Sequence, residues 1–77
     1  MAIEVDVEML QLGDVILIDL PDQGTNIEAQ VVGESPEVVR EIERSESTVR
    51  ARLRVSGRDE FVLEWPLDTR VTLIRGP

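Results

Sequence analysis

The chain has 77 residues, 42% hydrophobic and 31% charged, with a formal net charge of −8. That is one small domain over residues 1–77, apolar enough to fold and too short for a second core. There is no Cys, His or Lys, which excludes disulfides, thiol nucleophiles, Cys- or His-based zinc centres, imidazole general bases and lysine-dependent Schiff-base or P-loop chemistry.

All eight basic residues are Arg. Lysine is normally among the commonest residues, so its absence points to a high-GC genome. Charge is divided along the chain. Residues 1–46 carry twelve acids and two arginines, whereas residues 47–77 carry four acids and six arginines. The acidic part repels phosphate and anionic membranes, while the arginine-rich part is local enough to meet a negative partner. Met1-Ala2-Ile3-Glu4 lacks the basic and apolar regions of a secretory signal, and no apolar run approaches the roughly 20 residues of a membrane span. The expectation is a cytoplasmic protein without membrane contact.

Ile3, Val5 and Val7 alternate with Glu4, Asp6 and Glu8, so residues 1–9 read as an acidic strand or an acidic leader. Gly13-Asp14 is a turn pair. Val15–Ile18 is β-branched-rich and too short for a helix, which predicts a central strand ended by Pro21. Residues 22–26 form a turn, and Ile27–Val32 resumes as a strand with Ala29 and Val31 on one face.

Residues 36–46 are open to two readings. Ser35-Pro36 followed by Val38, Val39 and Ile42 fits a short helix, yet Val38, Arg40, Ile42 and Arg44 alternate as a strand would. The segment 36–47 is charged and reads as an insertion loop. Farther on, Val49, Ala51, Leu53 and Val55 alternate with Arg50, Arg52 and Arg54, a half-buried strand with an arginine stripe outward. Ser56–Asp59, containing Arg58, is a hairpin loop, and Phe61, Leu63 and Trp65 mark the return strand. Pro66 has no N–H and is expected to leave the ladder there, with Pro66–Thr69 a tight 3₁₀-like turn before a last strand at Val71–Ile74.

Five or six short strands without intervening helices predict an all-β antiparallel barrel or a strongly bent sheet, since closure hides exposed strand edges. The order Leu10-x-x-Gly13-Asp14, strand Val15–Ile18, long loop, hairpin at Ser56–Asp59, and Pro66-Leu67-Asp68-Thr69 before Val71–Ile74 resembles SH3-like small barrels. The resemblance covers roughly residues 10–75 and implies a 3₁₀ turn between the last two strands. Peptide-binding and methyl-lysine-reading members of that family use clustered aromatics. This chain has only Phe61 and Trp65, so the resemblance implies architecture rather than activity.

Asp19, Asp22, Asn26 and Glu28 surround Gly24 and offer oxygen ligands for a hard cation, but the spacing departs from the EF-hand pattern. A solvated turn with local hydrogen bonds is the simpler reading, and no metal or cofactor is expected. Glu4, Asp6 and Glu8 could face a basic partner or protect a strand edge. The mixed charges of residues 37–46 suit either a recognition loop or an insertion without a partner. Arg50, Arg52 and Arg54 recur about every 6.6–7 Å along the strand, near the spacing of phosphates on a nucleic-acid strand. They could equally pair with Glu60, Glu64 or the Glu4–Glu8 face. Trp65 is either a recognition anchor or, with Phe61 and Leu63, part of the core. No Ser or Thr has a base to activate it.

These readings converge on a non-enzymatic protein-interaction or accessory module of a soluble bacterial-type complex, with another protein as partner and Arg50, Arg52, Arg54, Arg58 and Trp65 as candidate binding residues. One alternative is a nucleic-acid-associated domain using the arginine-striped strand. The other is an acidic decoy of a basic nucleic-acid-binding surface.

Overall fold

The computed structural model describes residues 2–41, 46–57 and 59–74. The elements are β1 (Ala2–Asp6), a 3₁₀ turn (Val7–Met9), β2 (Val15–Leu20), β3 (Gly24–Val31), β4 (Glu37–Glu41), β5 (Glu46–Val55), β6 (Glu60–Pro66) and β7 (Arg70–Ile74). All strands join one antiparallel sheet in the order β1-β7-β2-β3-β5-β4, with β6 on the other edge of β5. The sheet curls into a half-barrel.

Period-two alternation selects the buried face. Ile16 lies opposite Ala29 on one side and Leu73 on the other. Leu53 lies opposite Val31 and Phe61. These residues join Ile18, Val49, Ala51 and Val55 in one core.

β1 and β2 flank β7 and both run antiparallel to it, so residues 7–14 must cross from one side of β7 to the other. Buried Val7 and Leu10 carry this crossing into the core. The Val7 N–H bonds the Thr69 carbonyl at 3.0 Å, and Gly13 and Asp14 exchange main-chain bonds with Val31 at 2.9 and 2.8 Å. Gly13 has a φ of 93°, which lets the chain turn into β2.

Two open readings are decided and two expectations, the strand count and the exit of Pro66 from the ladder, are corrected. Residues 37–41 form a strand, neither a loop nor a helix, because the ten-residue β5 extends far enough to pair with them; Val38 faces Val49 and Val39 faces Thr48. Residues 42–45 lie outside the described residues. Among the described residues the strand count is seven rather than five or six. The curl stops at a half-barrel rather than closing, so β6 has a strand partner on only one edge among the described residues. The expected tight 3₁₀-like turn at Pro66–Thr69 is present, closed by Thr69 N–H to the Pro66 carbonyl at 3.0 Å, and a further 3₁₀ turn falls at Val7–Met9. Pro66 keeps register opposite Thr48 as the last residue of β6.

Leu53 is fully buried between β3 and β6. Leu53→Ala is expected to cost about 3 kcal/mol through lost burial and the cavity left behind. Against a total of roughly 4–12 kcal/mol for a domain of this size, urea denaturation should show a large fall in midpoint with an unchanged slope.

Candidate functional site

Because Val49, Ala51, Leu53 and Val55 face the core, Arg50, Arg52 and Arg54 must face outward. β6 answers them across the ladder: Glu64 lies opposite Arg50, Val62 opposite Arg52 and Glu60 opposite Arg54. Arg50 grips Glu64 with two nitrogens, Nη2 at 2.6 Å and Nε at 2.8 Å from Oε1. Thr48 Oγ1 donates to the other carboxylate oxygen at 3.2 Å. The hydrogen bond from Arg50 is the main cause that holds the Glu64 carboxyl below its ordinary range; partial desolvation acts the other way, and Thr48 adds to the lowering.

Arg52 reaches diagonally to Glu60, with Nη1 3.7 Å from Oε1. Its path runs over Gly33, where an added Cβ would lie 3.0 Å from Arg52 Cδ. Gly33 therefore serves the stripe twice: it accepts a φ of 78° as β3 ends, and it leaves room for the guanidinium stem. Arg54 makes no ion pair with another described residue and borders a shallow hollow with Val15, Glu28, Gln30 and Ser56. Arg58 lies outside the described residues.

The acidic strand does not join the stripe. β1 and β5 are well separated in the sheet order, and Asp6 pairs instead with Arg70, opposite it on β7, at 3.4 Å. Glu8 leaves the strand for the 3₁₀ turn. Asp19, a proposed ligand, accepts the Asn26 N–H at 3.1 Å and so holds the left-handed Asn26 (φ 54°) beside the β2 bulge. Among the described residues, no group of three or more carboxylates is arranged to hold a metal ion.

Trp65 is half-buried and packs against the core opposite Val49. It also lines a cleft of about 280 Å³ with Leu63, Ile18, Val71 and Asp19. A second cleft, about 380 Å³, lies at the start of β6 between Phe61, Leu20, Pro21, Asp22 and Asp59. A larger hollow, about 730 Å³, lies along β1, β7 and the crossing segment, with Met9, Val15 and Ile74 among its apolar walls and Glu4, Asp6 and Asp14 among its polar ones. None of these hollows is legible in the alternation pattern. The crossing segment leaves Met9 and Leu12 68% and 54% exposed beside buried Val7 and Leu10.

The chain matches no known family model, no curated protein and no solved structure. Among the described residues no helix is long and apolar enough to cross a membrane.

The Arg50–Glu64 pair makes a pH-dependent contribution. A carboxyl held low in the folded state stabilises fully above the ordinary glutamate range and loses that effect as pH falls through its depressed value. Glu64→Gln should lower the melting temperature at neutral pH, and the gap from the parent chain should shrink below about pH 4. A gap independent of pH would contradict this. Millimolar Ca²⁺ should leave the melting temperature unchanged, because the Asp19 carboxylate already serves the Asn26 amide.

Proposed function

We propose that this chain is a cytoplasmic, non-enzymatic interaction module on an SH3-like barrel, and that its partner is another protein. The observation that carries this reading is the open sheet: β1, β4 and β6 each have one edge without a strand partner among the described residues. Such edges present main-chain donors and acceptors that another polypeptide can pair. The meander β2-β3-β5-β6, with β7 returning to pair β2, supports the barrel assignment. On this reading β4 is a strand inserted between β3 and β5, and β1 is added outside β7.

Charge favours protein over nucleic acid. Arg50 and Arg52 are engaged by Glu64 and Glu60, and the chain as a whole is at −8. Phosphate binding would have to displace those carboxylates against a repulsive field. Base stacking would have only Phe61 and Trp65, both partly buried against the core.

The test is retention from a nuclease-treated lysate combined with a nucleic-acid titration. A defined protein should be retained after nuclease treatment, and single-stranded nucleic acid should show no detectable binding at physiological salt. Tight, salt-sensitive nucleic-acid binding, lost when Arg50, Arg52 and Arg54 are all changed to Ala, would replace the protein reading with the nucleic-acid one. Three phosphate contacts on a single strand would give a log–log salt slope of about −2.

A further inference from the structure

Resting on the interaction-module reading, we infer that the seam along the free edge of β6 accepts one extended peptide strand of a partner protein, with apolar residues at alternate positions and basic residues between them. β6 pairs with β5 on one side only. Two clefts border β6 in sequence. Phe61 faces Leu20 in the first, and Leu63 and Trp65 face Ile18 and Val71 in the second. As β6 advances from Phe61 to Trp65, the facing strand β2 runs back from Leu20 to Ile18. The two clefts lie in succession along β6, each with β2 on its far wall. Leu20, Phe61, Leu63, Trp65 and Val71 are all only partly buried although each packs against the core. An added strand would cover them with every second side chain and pair its main chain with β6. Pro66 offers no N–H, so the added ladder ends at Trp65.

The rim fixes the chemistry of the occupant. Asp22, Asp59 and Glu60 border the first cleft and Asp19 the second. The one arginine lining either cleft is Arg70, which is paired with Asp6. Glu60 is shared with Arg52 at 3.7 Å and Asp19 with the Asn26 amide at 3.1 Å, which leaves Asp22 and Asp59 to face an incoming strand. A second copy of this chain is a poor occupant, because its open strands carry more acids than arginines: Glu4 and Asp6 on β1, Glu37 and Glu41 against Arg40 on β4, Glu60 and Glu64 on β6. Arginine or lysine between apolar positions complements the rim instead.

The probe is a synthetic decapeptide of alternating arginine and valine, with an alternating glutamate–valine decapeptide as its counterpart. Binding is followed by Trp65 emission and by hydrogen exchange of the full chain. The arginine peptide should shift the emission and slow exchange of alternate amides between Glu60 and Trp65 by about tenfold or more. Methylating alternate peptide nitrogens should weaken binding by more than about tenfold, since the main-chain bonds are lost while the charges remain. Asp22→Asn and Asp59→Asn, both at exposed positions, should each weaken it by roughly threefold. The inference is overturned by any of four results: no binding at millimolar peptide, equal binding of the glutamate peptide, protection on β1 or β4 instead of β6, or self-association of the chain through β6. If one of these is found while a nuclease-resistant protein partner is still retained, the seam assignment alone falls. If no partner is retained either, the module reading falls with it.

Discussion

β5 pairs with three other strands, and the rest of the molecule depends on how its ten residues are divided among them. One edge meets β3 at Leu53–Val55 sites and β4 at Glu46–Arg50, and the other meets β6 from Thr48 to Arg54. Its side chains can satisfy all three only in one register. Val49, Ala51, Leu53 and Val55 must face inward, since a slip of one residue would turn three arginines into the core. Burying unpaired guanidinium groups costs far more than a domain of this size can offset. The alternation is therefore the device that fixes β5, and through β5 the positions of β3, β4 and β6.

The same register makes the outer face. Once Arg50 is outward, the β6 pairing places Glu64 across from it, and the diagonal brings Glu60 to Arg52. These are exposed pairs, and their worth lies in specificity of register more than in stability. They also reduce the field that the arginine stripe would otherwise present. A feature that resembles a phosphate-binding track in the sequence is, in the folded chain, largely a set of cross-strand pairs.

How far the fold was legible follows from which forces are local. The β5–β6 hairpin, the inward set of β5 and the Gly57 turn are written in adjacent residues, because alternation and a positive-φ glycine act within a few positions. β4 was ambiguous because its five residues suit a helix or a strand equally well, and the decision came from Thr48 and Val49, which offer Val39 and Val38 a ladder. The crossing segment was hidden for a different reason. Val7 and Leu10 are buried only because β7, more than sixty residues away, lies between β1 and β2. Among the candidate residues, the outward placement of Arg50, Arg52 and Arg54 could be read directly. The division of labour among them could not, since Gly33, Glu60 and Glu64 reach them only through the sheet.

The chain's two aromatics both lie on β6. Its core is otherwise built from Val, Ile, Leu and Ala, which cover the inner face of β2, β3, β5 and β7. Phe61 and Trp65 stand where that covering stops, packed on one side and partly exposed on the other. β2 is paired on both edges, by β3 and β7, so β6 cannot close the gap by pairing with it. An external strand removes the same apolar surface from water without breaking those pairings. The pairings that occupy both edges of β2 thus also leave the edge of β6 away from β5 available, and the acids around that edge select what can approach it.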